Sequence, residues 1–533
     1  METKQFYEDD EGNLIDKTKE AEYIFAKRLL DDLILPSWNK EAYERLADTY
    51  LQGKVSFETW ERYIKENPER TTGGSTNQED FDFSSPEEIF EYLESTCSSL
   101  DDKNKRTWDK PKLYFEFSKI IINEFNIFTF EDTNQIYIYN DGVYEDGEKK
   151  IKSFIQSVLN KISTIHSNNE TCEHIRRQTY KKREFVEEEK NKICLLNGVL
   201  DLENLNIIPH NPEFIFFNKI NAEYQPGEDC PQIKKFLSEI VNQEDVLILQ
   251  EIAGYCLYKE YFIHKALMLV GSGANGKSTY INLLKEFLGQ KNCVSIPLHH
   301  LEEDKFALAN LHGKLANLFA DLPSRALRNT SIFKMLVGQD LIPAEKKFKD
   351  KFFFTNYAKQ LFSANQVPKS PEDSDAFFRR WMIINFPNQF VNSKADKGLI
   401  KKLTTKKELS GFLNFALEGL KRLLENQDFS NTESVLEIRD RYIRLSDSIG
   451  AFIMDCVEIH PEEFVKKKKV FLDYCDYCRS LNYPITSENT FYKEIPKQMR
   501  IEDYRPLLDV DGKKTRVHCW KGIKIKIPEK LDV

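Results

Sequence analysis

The chain has 533 residues, 41% hydrophobic and 30% charged, which suits about three or four soluble domains with ample core. No stretch approaches the roughly 20 apolar residues of a membrane span, the N-terminus lacks a signal-peptide pattern, and ten scattered cysteines make no disulfide framework; no membrane partner and a cytoplasmic setting are expected. The net charge of −10 sits in residues 1–110, which hold 27 acidic and 15 basic side chains, so the remainder is close to neutral and any nucleic-acid contact must come from local clusters.

Residues 1–110 read as an acidic, mainly helical region, with helical patterns at Ala21–Leu33 and Glu41–Leu51, a polar glycine-bearing linker near 71–85 and a short helix at Pro86–Thr96. Residues 111–258 read as an α+β domain. Tyr114–Phe125 and Ile151–Ile165 have helical spacing, Gln135–Tyr139 alternates like a strand, and Asn140-Asp-Gly142 predicts a hairpin turn. The charges of Lys181–Lys190 mark a solvated helix face, Ile193–Asp201 holds two short strands about Asn197-Gly198, and Gln232–Tyr258 is a helical stretch.

Residues 259–430 alternate strand and helix as a parallel α/β domain requires, with candidate strands Ala266–Val270, Leu315–Ala320, Gln360–Ser363 and Trp381–Phe386. Between the first strand and the helix at Tyr280–Leu288 stands Gly271-Ser-Gly-Ala-Asn-Gly-Lys-Ser-Thr279, an unbroken G-x4-G-K-[ST] phosphate loop. Gly271, Gly273 and Gly276 let the backbone curl so that its N–H groups, with that of Asn275, face phosphates. Lys277 reaches the β/γ-phosphates, and the Ser278 hydroxyl, beside Thr279, is a Mg²⁺ ligand. ATP and Mg²⁺ are the expected substrate and metal.

Three further elements narrow the reading. Asp321 ends an apolar strand where a Mg²⁺-organising acid belongs, Asn365 ends another where it can position water, and Arg379 and Arg380 precede a buried strand. Asp321 is followed by Leu322, so only one acid is present. The sequence does not say whether it serves the metal or the water, nor what supplies the other role.

The wording of Gly271–Thr279, Asn317–Pro323, Lys334–Asp340, Asn356–Lys359, Phe362–Asn365 and Asp375–Trp381 resembles the superfamily 3 helicase domain of phage, plasmid and archaeal-element primase-helicases. Upstream, Ile136–Tyr144, Asn197–Asp201 and Cys230-Pro231 are similar to the poxvirus-type domain that precedes it. Downstream, residues 448–533 resemble a C-terminal winged-helix DNA-binding domain. The resemblance implies an AAA+ phosphate-loop core in a homo-oligomeric, hexameric ring that moves on single-stranded and forked DNA. Lys277 and Ser278 would bind phosphate and metal, Asp321 would be the Walker B acid, and Asn365 the sensor. Arg379 or Arg380 would act on the neighbouring subunit's nucleotide. A channel hairpin would fall at 340–354, where Lys346, Lys347, Lys349 and Lys351 surround one aromatic, a pattern suited to a phosphate backbone. A virus-, plasmid- or prokaryote-encoded protein is implied, with a replication partner expected on the acidic N-terminal region. Residues 1–110 are too short for a catalytic primase domain, so primer synthesis is not expected.

Other motifs read as structural. Cys475-Asp-Tyr-Cys478 has zinc-ligand spacing, with His518-Cys519 to complete a set, but a helix from Lys467 to Leu481 would pack a cysteine into the core. Lys466–Lys469 read as a solvated helix start or a DNA contact. His264, His299 and His300 lack partners at metal spacing.

Overall fold

The computed structural model describes residues 6–8, 14–16, 30, 56–67, 83–183, 189–325, 327–345, 351–391, 396, 398–430, 433–481, 483–510 and 513–526. They form two compact units, Met1–Glu189 with Asn211–Phe217, and Lys190–His210 with Asn218–Val533. The division falls inside the stretch 111–258 because Ile193, Leu195 and Leu200 pack into the core of the second unit. Among the described residues no helix is long and apolar enough to cross a membrane.

In the first unit the expected helix at 86–96 is present as Pro86–Cys97, capped by Ser85. The helical patterns at 21–33 and 41–51 lie outside the described residues apart from Leu30. Two short antiparallel pairs, Phe6–Glu8 with Leu14–Asp16 and Ser98–Leu100 with Arg106–Trp108, were not expected, since three residues carry too little periodicity to read. Helix α1 (Lys110–Phe125) leads into β1 (Ile127–Phe130), β2 (Gln135–Asn140) and β3 (Val143–Asp146). The turn between β2 and β3 has φ 47° at Asp141 and 88° at Gly142, as a tight hairpin turn demands. The helix expected through Ile165 stops at Leu159 in α2 (Glu148–Leu159), and a separate α3 (Ile165–Thr179) follows, started by a Thr164–Ser167 capping box. Its polar sequence hides it from hydrophobic pattern. The charged stretch from Lys181 is no helix start, because Tyr180–Lys181 is β4, parallel to β1; residues 184–188 lie outside the described residues.

The second unit opens with the expected strand pair, β5 (Lys192–Leu195) and β6 (Gly198–Asp201). The helical stretch expected at 232–258 is two helices, α4 (Pro231–Ile240) and α5 (Gln243–Tyr255), because Asn242 takes an extended conformation between them. Five parallel strands then form one sheet: β7 (Ala266–Val270), β8 (Cys293–Val294), β9 (Ala316–Ala320), β10 (Lys359–Ala364) and β11 (Trp381–Asn385). Their order is β8-β9-β10-β7-β11, so β10 lies between β7 and β9. All five residues of β7 and all six of β10 are buried; β7 reads as a continuous apolar run, whereas β10 carries the buried polar residues Lys359, Gln360 and Ser363.

A hairpin, Leu341–Glu345 with Lys351–Thr355, leaves this core. Helix α6 (Lys406–Asn426) packs beside α4 and α5. Its buried Glu408 accepts the N–H groups of Gln232 and Ile233 at the start of α4, at 3.3 and 3.1 Å. The C-terminal module runs α7 (Ser448–Cys456), β12 (Val457–Lys466), α8 (Lys467–Ser480), α9 (Glu488–Gln498), β13 (Glu502–Tyr504), the hairpin Leu507–Val510 with Lys513–Arg516, and β14 (Cys519–Ile525). Its sheet order is β12-β14-β13, over a core of Phe452, Tyr474, Phe491 and Trp520.

Candidate active site

The loop after β7 is shaped by its own backbone and clamped from β11. Ala274 sits at φ 51°, Gly273 at 101° and Gly276 at 91°. A Cβ at Gly276 would lie 2.5 Å from Ile240 Cγ2, so glycine is required there for packing as well as for conformation. Phe390 N–H donates to the Ala274 carbonyl at 2.7 Å, Asn275 Nδ2 to the Phe386 carbonyl at 3.2 Å, and Gln389 to Ser272 Oγ at 2.7 Å.

Lys277 begins the helix Lys277–Leu288 and is only 4% exposed. Its Nζ donates to the Gly271 carbonyl at 2.7 Å, to Asn275 Oδ1 at 2.9 Å and to Asn365 Oδ1 at 3.2 Å. Burial pushes its pKa down to about 8, and the negative charge of Asp321 works in the opposite direction. No side chain caps this helix, so its first N–H groups face the loop with no side-chain acceptor, a setting that favours an anion. Ser278 is exposed beside them and Thr279 half-buried.

Asp321 and Asn365 stand at the ends of neighbouring strands. Asp321 follows β9 at φ 80°, an uncommon conformation for a residue with a side chain, and its N–H and that of Leu322 both donate to the Ser363 carbonyl, at 3.1 and 2.7 Å. Its carboxylate is exposed. Residues read from three distant segments, Lys277, Asp321 and Asn365, therefore line one cleft of about 620 Å³. A hydroxyl at Ser278 and a single carboxylate at Asp321 suit Mg²⁺, which takes few protein ligands and keeps several waters. Among the described residues no group of three His, Cys, Asp or Glu side chains could hold a metal by itself.

The far end of the cleft was not read from sequence. Phe236 and Ile240 of α4 face Phe390 and Leu399, with Gln232, Lys235 and Lys402 at the rim. These residues lie in segments up to 170 positions apart and carry no local motif, so only folding brings them together.

Arg379 and Arg380 are elsewhere. The Arg380 carbonyl accepts the Ala266 N–H at 2.7 Å, at the start of β7, whereas the loop leaves its end. Arg379 is exposed and forms no ion pair among the described residues. Arg380 is half-buried, with Nη1 donating to the Ala376 carbonyl at 2.5 Å. Of the hairpin lysines, Lys351 is exposed at the start of its strand, and Lys346, Lys347 and Lys349 lie outside the described residues.

Cys475 and Cys478 are buried in α8 and Cys519 in β14, while His518 points to solvent. His299 and His300 contact each other edge to face at 4.7 Å, and burial together with Arg380 and Arg379 pushes the His264 pKa down.

The fold is thus mixed α/β with a parallel sheet whose strand ends converge on one cleft. A D5 N terminal like family model matches residues 118–242, and a family of unknown function (DUF5906) matches residues 269–380, the span from the loop to the arginine pair. The chain is 24% identical over 385 residues to the protein named Putative helicase L207/L206 of Acanthamoeba polyphaga mimivirus, covering 67% of this chain and 38% of that protein. It therefore spans well under half the length of that relative. Among solved structures, the apo NrS-1 C terminal region aligns over 77% of this chain and 99% of that one, with 14% identity and a TM-score of 0.40. An A form of that region aligns over 78% of this chain and 100% of that one, at 14% identity and a TM-score of 0.39. In the domain match and the viral relative, the chain is similar to phage and viral primase-helicases.

Proposed function

We propose that the chain is an ATP-dependent DNA helicase with an AAA+ phosphate-loop core, which hydrolyses ATP between the subunits of a hexameric ring to move along single-stranded DNA and open forked duplex. The observation that carries this reading is the meeting of Lys277 Nζ and Asn365 Oδ1 at 3.2 Å, in a cleft that Asp321 flanks and an uncapped helix N-terminus faces. Placement of β10 between β7 and β9 supports it, because that order puts the polar strand ends beside the loop.

In this reading the backbone of Gly271, Gly273, Asn275 and Gly276 cradles the phosphates, Lys277 neutralises them, and Thr279 extends the helix-end amides. Ser278 and Asp321 would hold Mg²⁺, which screens the phosphate charge when bound. The apolar end at Phe236, Ile240, Phe390 and Leu399 takes the base. Asn365 orients the attacking water, and Arg379 or Arg380 reaches the nucleotide of the neighbouring subunit. The hairpin tip, with Lys346, Lys347, Lys349 and Lys351, tracks single-stranded DNA. The helix, strand, helix, helix, strand, hairpin, strand order of residues 448–526 supports a winged-helix DNA-binding domain. The acidic N-terminal region would dock a replication partner.

ATP turnover stimulated by single-stranded DNA and lost in Lys277→Ala is the expected result; nucleotide binding without turnover would sink the motor. Strand displacement on a forked substrate then separates a helicase from an initiator or packaging ATPase that remodels DNA. One observation favours a second reading, a DNA-binding scaffold with a degenerate ATPase. Asp321 is followed by the buried Leu322, and of the other carboxylates lining the cleft Asp396 is tied to Lys402 at 2.7 Å and Glu239 lies at its rim.

A further inference from the structure

We infer that the C-terminal module carries a second nucleic-acid site, a basic seat that grips the backbone phosphates of a duplex and is separate from the channel hairpin. The inference rests on the winged-helix reading of that module and goes beyond it by naming the gripping residues and the form of nucleic acid.

Helix α8 opens with Lys467-Lys-Lys469, preceded by Lys466 at its cap. Positive side chains in a first helical turn oppose the helix dipole and repel one another, so they do not serve the stability of the helix. Lys467 is accommodated: it lies over the Trp520 ring at 5.1 Å and pairs with Asp503. Lys466, Lys468 and Lys469 are exposed and form no ion pair among the described residues.

Lys466 and Lys468 open onto a concavity of about 530 Å³ whose other walls are Lys467, Tyr492 of α9, and Thr515, Val517 and His518 of the hairpin and its return. The other two elements carry further exposed cations without an ion pair among the described residues, Lys493 next in sequence to Tyr492 on α9, and Lys514 and Arg516 on either side of Thr515 in the hairpin. The opposite edge of the module is balanced, with Lys524 and Lys526 paired to Glu463 and Glu458 at 3.7 and 3.3 Å. Charge is thus neutralised on one edge and left open on the other.

Cations spread over three elements match a chain of phosphates better than one small anion. Single-strand sites use exposed aromatic platforms, but here Phe491 and Trp520 are buried, and Tyr492 donates its hydroxyl to Glu488 at 2.6 Å. Helix α9, with Asn489, Thr490 and Lys493 exposed opposite the buried Phe491 and Ile495, instead suits a duplex groove with its two backbones.

The test is fluorescence anisotropy of the full chain, without nucleotide, on a labelled duplex of about 20 base pairs and on one of its strands, over a range of salt. Lys466→Ala with Lys468→Ala should weaken duplex binding about tenfold near 0.1 M salt and lower the slope of log affinity against log salt by about 2. Lys493→Ala, on a different helix, should lower it by about 1 more. Lys149→Ala with Lys161→Ala, an equal charge change in the first unit, should leave duplex binding alone, and circular dichroism melting confirms folding of each variant. An unchanged duplex affinity and slope, or a loss confined to the single strand, overturns the inference. Loss of ATP turnover with Lys466-dependent duplex binding intact would instead sink the motor reading alone; strand-stimulated turnover without such duplex binding would sink this inference alone.

Discussion

The carbonyl of Arg380 accepts the N–H of Ala266 at 2.7 Å, which sets the arginine pair at the foot of β7 while the phosphate loop leaves its top. Five strand residues at about 3.3 Å each separate the two ends by about 17 Å. An arginine side chain does not span that distance, so neither Arg379 nor Arg380 reaches the cleft of its own chain. If the pair serves catalysis, it does so across a subunit boundary.

Mixing experiments follow from that geometry. Arg379→Ala, Arg380→Ala and Lys277→Ala chains should each be inactive as ATPases when the arginine tested is the finger, and a mixture of the finger variant with Lys277→Ala should regain part of the turnover through hybrid interfaces. Turnover measured across mixing ratios, with hybrid assembly verified by mass, checks this. Arg379 is the stronger candidate, since it is exposed while Arg380 already donates to the Ala376 carbonyl.

Lys277 should make nucleotide binding sensitive to alkaline pH. Its amino group loses its proton near pH 8 in the free chain, below the ordinary lysine value of 10.5, because it is buried. Phosphate favours the charged form, so above pH 8 binding takes up a proton, and ATP affinity should fall about tenfold per pH unit. Titration with a fluorescent nucleotide from about pH 7 to 10 reads this out. The linkage to folding has the opposite sense: a lysine held below its unfolded pKa weakens the fold below pH 8 and recovers as pH rises toward 10.5, so Lys277→Met should abolish binding without lowering Tm at neutral pH.

Gly276→Ala should damage both fold and binding. The φ of 91° costs a residue with a Cβ about 1–2 kcal/mol, and the new methyl meets Ile240 Cγ2 at 2.5 Å. Combining it with Ile240→Ala removes the contact but not the backbone cost, so urea denaturation should show partial recovery only.

The buried Glu251 ties α5 to α6. Its carboxylate accepts Arg422 Nε at 2.6 Å, the Ser430 N–H at 2.9 Å and the Ser430 hydroxyl. Glu251→Ala leaves the Ser430 N–H without its acceptor while Arg422 keeps Gln250 Oε1 at 3.0 Å, and should cost about 1–3 kcal/mol in urea denaturation. Glu251→Gln, which keeps an acceptor, should cost less.

Replacing Lys346, Lys347, Lys349 and Lys351 together by alanine should weaken single-stranded DNA binding and flatten its salt slope by about 3, since each single-strand phosphate contact contributes about 0.7. Anisotropy against salt measures it; an unchanged slope would leave the hairpin without a role in holding the strand.

Much of this was legible along the chain because it is local. The G-x4-G-K-[ST] loop, the apolar run of β7 and the Asp141-Gly142 turn each declare themselves within a few residues. What failed was equally physical. Helix α3 is polar on too many sides to show a stripe, the break at Asn242 leaves hydrophobic spacing almost undisturbed, and the first-unit strand pairs are shorter than any period.

By itself the sequence singled out the residues proposed to carry the chemistry, since a phosphate loop, two polar strand ends and an arginine pair are stretches whose composition is tied to backbone form. Only the tertiary structure decided which of them meet. Inserting β10 between β7 and β9 brings Asn365 to Lys277, closing α4 over Gly276 supplies Phe236 and Ile240, and the parallel run of β11 along β7 sends the arginines to the far edge. Strand order and helix packing are set by burial summed over the whole core, and no short stretch of residues encodes that sum.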